Sequence, residues 1–131
     1  MHVSLVLLDI DLDDAQASKV AAVLALNAAG LRSRLQNSWT ELTVFRAELS
    51  TNVRPRLTLR SHQQHLQASA FLFDRGRDAA KTLVDLKFYG VGRQGSFGLE
   101  LHPTRERGVQ NLYDRVTESL ARIEQAAEVV T

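Results

Sequence analysis

The chain has 131 residues, 44% hydrophobic and 24% charged, with a net charge of +1 and no cysteine. That length suits one α+β domain spanning residues 1–131 around a single hydrophobic core. The lack of cysteine excludes a disulfide framework, thiolate zinc sites and cysteine nucleophiles. The N-terminal apolar run, Leu5–Leu8, has no basic flank and is far below the roughly 18 residues that a membrane span needs. The expectation is a soluble, cytoplasmic protein with no membrane partner.

Charge is unevenly distributed. Residues 1–30 set one lysine against four aspartates, whereas residues 31–77 set eight arginines, and no lysine, against three acids. The central third is therefore a basic block, and arginine's planar fork suits carboxylate, phosphate and aromatic partners.

Val3 to Ile10 reads as a short buried strand. Asp13 or Asp14 then supplies an N-cap at the positive end of a helix dipole. That helix is expected to run through Ala29, with Val20, Val23, Leu24, Ala28 and Leu31 near one face and Gly30 as a left-handed C-cap. From Trp39 onward the hydrophobic period is read as two. Trp39 to Leu49 becomes a first strand with apolar residues on both faces. In a second, Val53, Pro55, Leu57 and Leu59 face one way and Arg54, Arg56, Thr58 and Arg60 the other. Pro55 cannot donate to a ladder, so that strand belongs at an edge or begins there.

Leu66, Ala68, Ala70 and Leu72 define the core face of a third strand. Asp74 to Asp78 makes a connection, Val84, Leu86 and Phe88 mark a fourth strand, and Phe97, Leu99 and Leu101 a fifth. After Pro103, Thr104 is placed to cap a long helix whose body follows Gly108. There Val109, Tyr113, Val116, Leu120, Ile123, Ala127 and Val130 recur in steps of four and three, an amphipathic stripe that must be buried. The expected architecture is a two-layer α+β domain. An antiparallel sheet of five to six strands carries an N-terminal helix and a long C-terminal amphipathic helix on one face.

Four groups of residues invite chemistry. Asp9 and Asp11, after a hydrophobic strand, form a D-x-D pair that resembles the nucleophile loop of haloacid-dehalogenase-type phosphatases. That fold needs alternating strands and helices and a later acidic pair, and this chain offers neither. A calcium loop starting at Asp9 would need glycine where Asp14 stands and glutamate where Val20 stands. A solvated acidic turn that caps a helix accounts for these residues more simply. Gly90-Val91-Gly92-Arg93-Gln94-Gly95 spells G-x-G-x-x-G, but between two strands rather than between a strand and a helix, so it reads as a hairpin tip and not a dinucleotide loop. His62 and His65 share a side only in a helix or turn, so they mark no metal site by themselves. Neither a cofactor nor a catalytic set emerges.

The remaining group lies on the outward sheet face. Arg54, Arg56 and Arg60 share it with Lys87 and Tyr89, and Arg93 stands at the hairpin tip. Thr58 and His102 are placed there too, and Phe71 and Phe73 join it in one register. Asp85 and Glu100 lie on the same face and speak against anion binding, and an ordinary polar solvent face is the plainer reading. Cations interleaved with aromatic rings are how open sheets bind single-stranded nucleic acid, and protein-binding faces are enriched in the same types. Replacing the three arginines should then leave folding nearly untouched. The leading expectation is a non-enzymatic binding or assembly module of the adaptor, chaperone or structural-subunit kind. Its partners would be another protein and itself, with self-association through Val109, Tyr113, Val116, Leu120, Ile123 and Ala127. A nucleic-acid-binding domain using the arginine face is one alternative, and a small-ligand carrier with the long helix closed over the sheet is another.

Overall fold

A computed structural model describes residues 1–63, 68–75, 77, 79–86, 98–103 and 112–130. Those residues form an α+β fold with three helices and two three-stranded sheets. In chain order they are β1 (Val3–Leu8), α1 (Asp14–Val23), α2 (Ala28–Glu48), a 3-10 turn at Arg54–Arg56, β2 (Leu57–His62), β3 (Ala68–Phe73), β4 (Lys81–Leu86), β5 (Gly98–Leu101), α3 (Leu112–Ala126) and β6 (Glu128–Val129).

The single antiparallel sheet expected from sequence is replaced by two. The first has the order β1-β2-β6, with β1 and β2 parallel from Val3 opposite Leu57 to Leu8 opposite His62, and β6 antiparallel to β2. The second is an antiparallel meander in the order β3-β4-β5. Parallel strands cannot be joined by a hairpin, so β1 and β2 need a long crossover. The helical hairpin α1–α2 supplies it.

That crossover corrects two expectations. The N-terminal helix does not run to Ala29 but stops at Val23. Leu26 N–H donates to Ala21 O at 2.8 Å and Ala25 N–H to Ala22 O at 3.2 Å, with Ala25 in the left-handed region at φ 56°. This 6→1 and 5→2 pair is the usual left-handed helix ending, here without its usual glycine. Gly30 is therefore no C-cap. It lies in the first turn of α2 and donates its N–H to Asn27 Oδ1 at 2.7 Å.

The expected strand from Trp39 to Leu49 is the second half of α2. Its apolar residues belong to two faces of a helix, not two faces of a strand. Leu31, Leu35, Trp39, Leu42 and Leu49 face the core, whereas Val44 and Phe45 are exposed. The core stripe alone has helical spacing, and the two outward apolar residues hide it.

The core is built on this crossover. Leu12, Ala17, Val20, Ala21 and Leu31 are buried between α1 and α2. Trp39 is buried with Leu57 and Leu59, and Val3, Leu5, Leu7, Leu35, Leu42 and Val130 pack around them. The Trp39 indole N–H donates to Leu8 O at 2.8 Å, which ties α2 to the end of β1. Burying each large side chain of this group contributes roughly 1.5–3 kcal/mol. α3 packs against β2 and β4 and so connects the two sheets. No helix among the described residues is long and apolar enough to cross a membrane.

Candidate interaction surface

The arginines singled out by sequence do not line one strand face. Arg54 and Arg56 lie in the 3-10 turn before β2, and only Arg60 is in the strand. Pro55 stands at the start of that turn, where a missing N–H costs nothing. The Arg54 guanidinium donates to Ala47 O at 2.7 Å and Leu49 O at 2.9 Å, the unpaired carbonyls at the end of α2. Arg46 donates through Nε to Leu57 O at 3.1 Å, and Arg60 reaches Ala127 O, just past α3, at 3.4 Å. Arg32 spans Ile10 O, Leu12 O and the Asp14 carboxylate. Arg75 and Arg77 stand beside Glu124 and Asp74.

Much of the basic block therefore ties helix ends and loops together. A positive fork at a helix C-terminus answers both the unpaired carbonyls and the dipole. The expected shared face of Arg54, Arg56 and Arg60 is corrected accordingly. Lys87, Tyr89 and Arg93 lie outside the described residues, as do His65, Thr104, Gly108 and the whole Gly90–Gly95 motif.

The heptad stripe is placed mostly in α3. Tyr113 and, just beyond the helix, Ala127 are buried, while Val116, Leu120 and Ile123 are half-buried; Val109 is outside the described residues. The described part of the stripe is thus at least half-buried, on a helix that contacts β2 and β4. Asp9 takes the Asp11 N–H at 2.8 Å, and Asp13 caps α1 by accepting from Gln16 N at 2.8 Å. The acidic start is thus a turn and a cap. Among the described residues, no three His, Asp or Glu side chains are grouped to hold a metal.

Two surface features remain. One is an open crevice of about 430 Å³ at the carboxyl ends of β1 and β2, lined by Ser61 and His62 of β2, by Asp9 and Gln63 just past the two strands, and by Arg122 and Glu128 from the C-terminal segment. Ligands of parallel sheets bind at such strand ends, but here charges of both signs are mixed and Arg122 is already paired with Glu118 at 2.6 Å.

The other is the outer face of the meander. On β3, Ala70 and Leu72 turn inward while Phe71 and Phe73 stay 60% and 42% exposed. On β4, Thr82 and Val84 are buried, and Lys81, Leu83 and Asp85 point the other way. Ladder pairing sets Phe71 beside Leu83, Phe73 beside Lys81 and Ser69 beside Asp85, while Glu100 of β5 lies beside Leu83. Residues directly opposite on a ladder share a face, so these form one surface. The Lys81 ammonium sits 5.6 Å from the centre of the Phe73 ring, within cation–π reach.

Asp85 and Glu100, and in one register Phe71 and Phe73, are expected on the outward face from sequence; Leu83 and Lys81 are not, because β4 begins at Lys81 rather than at Val84. An apolar residue out of phase with Val84 and Leu86 was the signal for Leu83. No protein-family model, curated protein or solved structure matches this chain, so its function has to be argued from this geometry.

Proposed function

We propose that the chain is a non-enzymatic binding or assembly module whose docking surface is the outer face of β3–β5. The observation that carries this reading is the exposure of Phe71, Phe73 and Leu83 on one sheet face. The solvent side of an antiparallel sheet is ordinarily polar, and contiguous exposed apolar side chains edged by charge mark interaction sites. Aromatic residues are also enriched at the centres of protein interfaces. The nucleic-acid alternative needs free guanidinium groups on a sheet face, and Arg54 and Arg60 are engaged with backbone carbonyls instead.

Photo-crosslinking tests the reading. With the photoreactive benzoylphenylalanine in place of Phe71, irradiation in cells should give discrete protein adducts. The same group in place of Glu41, exposed on α2, should give none of those adducts. Equal labelling from both positions, or no protein adduct from position 71, would overturn it.

A further inference from the structure

We infer that the occupant of this face is a second copy of the chain, packed sheet to sheet with its β4 running antiparallel to the first. The inference rests on the docking-face reading above and adds the partner and its orientation. The charge order along β4 carries it. Outward-facing residues there read Lys81, Leu83, Asp85, a cation and an anion placed symmetrically about an apolar centre. At about 3.4 Å per residue, the two charges are separated by roughly 14 Å with Leu83 midway.

Two facing sheets are related either by a two-fold axis along the strands or by one across them, midway between the layers. An axis along β4 would set Lys81 against Lys81 and Asp85 against Asp85. An axis across the strands at Leu83 reverses β4, so each Lys81 stands opposite Asp85 of the second copy. The same axis sets Leu83 against Leu83, and Phe71, its ladder neighbour, against Phe71. One ring pair, one leucine pair and two ion pairs then arise from one self-complementary patch, as an isologous contact requires, while each Phe73 falls opposite Ser69 of the second copy. Glu100 also meets its own copy across this axis, but at the β5 edge, where His102 Nε2 of its own chain lies 3.0 Å from its carboxylate.

With strands about 4.8 Å apart, six residues in each of β3 and β4 and four in β5 give roughly 260 Å² per copy, at the small end even of weak, reversible contacts. Association is therefore expected at high protein concentration and should weaken with salt.

Sedimentation equilibrium from about 10 μM to about 1 mM, a range suited to weak dimers, reads the outcome. The wild type should associate. Lys81→Glu and Asp85→Lys should each weaken association by at least about tenfold, because like charges then face each other. An equimolar mixture of these two variants should recover it, and so should the double variant Lys81→Glu/Asp85→Lys. Recovery in the mixture also shows that both variants are folded. If the wild type associates but the mixture does no better than either variant, the antiparallel arrangement is wrong while the docking face stands. If the wild type remains at the monomer mass while position 71 still gives adducts to other proteins, the second copy is the wrong occupant. Monomer mass without any such adduct would remove both readings.

Discussion

At the residue scale, Arg54 shows how a surface-looking cation becomes structural. Its guanidinium satisfies Ala47 O and Leu49 O, carbonyls that α2 leaves unpaired. Arg54→Ala should therefore cost about 1–2 kcal/mol in urea unfolding, in the range of charge-assisted hydrogen bonds. Arg54→Lys should recover only part of this, since an ammonium on a flexible stem does not match two carbonyls as a planar fork does. Thr82 presents the opposite case. It is 0% exposed, and its hydroxyl has no hydrogen-bond partner among the described residues. Thr82→Val keeps the shape and removes the stranded oxygen, so unfolding should shift to higher urea by about 1 kcal/mol. An unchanged or lower midpoint would mean that the hydroxyl is hydrogen-bonded after all.

At the element scale, the ending of α1 decides the N-terminal half. Ala25 occupies a left-handed position at φ 56° that glycine adopts without steric cost. Ala25→Gly relieves that strain, roughly 1–2 kcal/mol, against an entropic cost of about 0.5–1 kcal/mol. The variant should gain about 0.5–1 kcal/mol in thermal or urea unfolding, and a loss would contradict the left-handed assignment. The chain reverses at Ala25 because Leu24 and Leu26 both pack into the α1–α2 core on either side of it. Sequence reading placed the stop at Gly30, since a glycine signals a helix end and an alanine does not. The same kind of error produced the false strand at Trp39–Leu49. With Val44 and Phe45 exposed, apolar residues fall at Leu42, Val44, Phe45, Ala47 and Leu49, and that near-alternation imitates a strand and masks the helical stripe.

At the scale of the whole molecule, the C-terminal segment locks onto the first sheet. β6 pairs with β2, Val130 N–H donates to Leu59 O at 2.9 Å, and Val130 packs in the Trp39 cluster. Ala127 is buried, and its carbonyl receives Arg60. Deleting residues 127–131 should therefore lower stability by about 2–4 kcal/mol, from a lost aliphatic side chain and two or more hydrogen bonds. Trp39 fluorescence should report this loss, because the indole sits in the cluster that Val130 covers. A truncated chain as stable as the full one would mean that α3, and not β6, fastens the C-terminus.

Local pattern by itself determined the α+β class, the positions of β1, β3 and β5 to within a few residues, a helix cap at Asp13 or Asp14 and the amphipathic character of α3. Each follows from apolar period or from a side chain that bonds its own neighbours, and both are written in adjacent residues. Tertiary structure decided what those residues pair with. Nothing local marks Val3–Leu8 as the parallel neighbour of Leu57–His62, because pairing partners separated by more than fifty residues leave no period. Nor does an arginine's sequence position show which helix end its fork will reach. The docking face was half legible. Alternation in β3 put Phe71 and Phe73 outward, but only the register with β4 brought Leu83 and Lys81 beside them. A surface made by neighbouring strands exists only once the ladder between them is fixed.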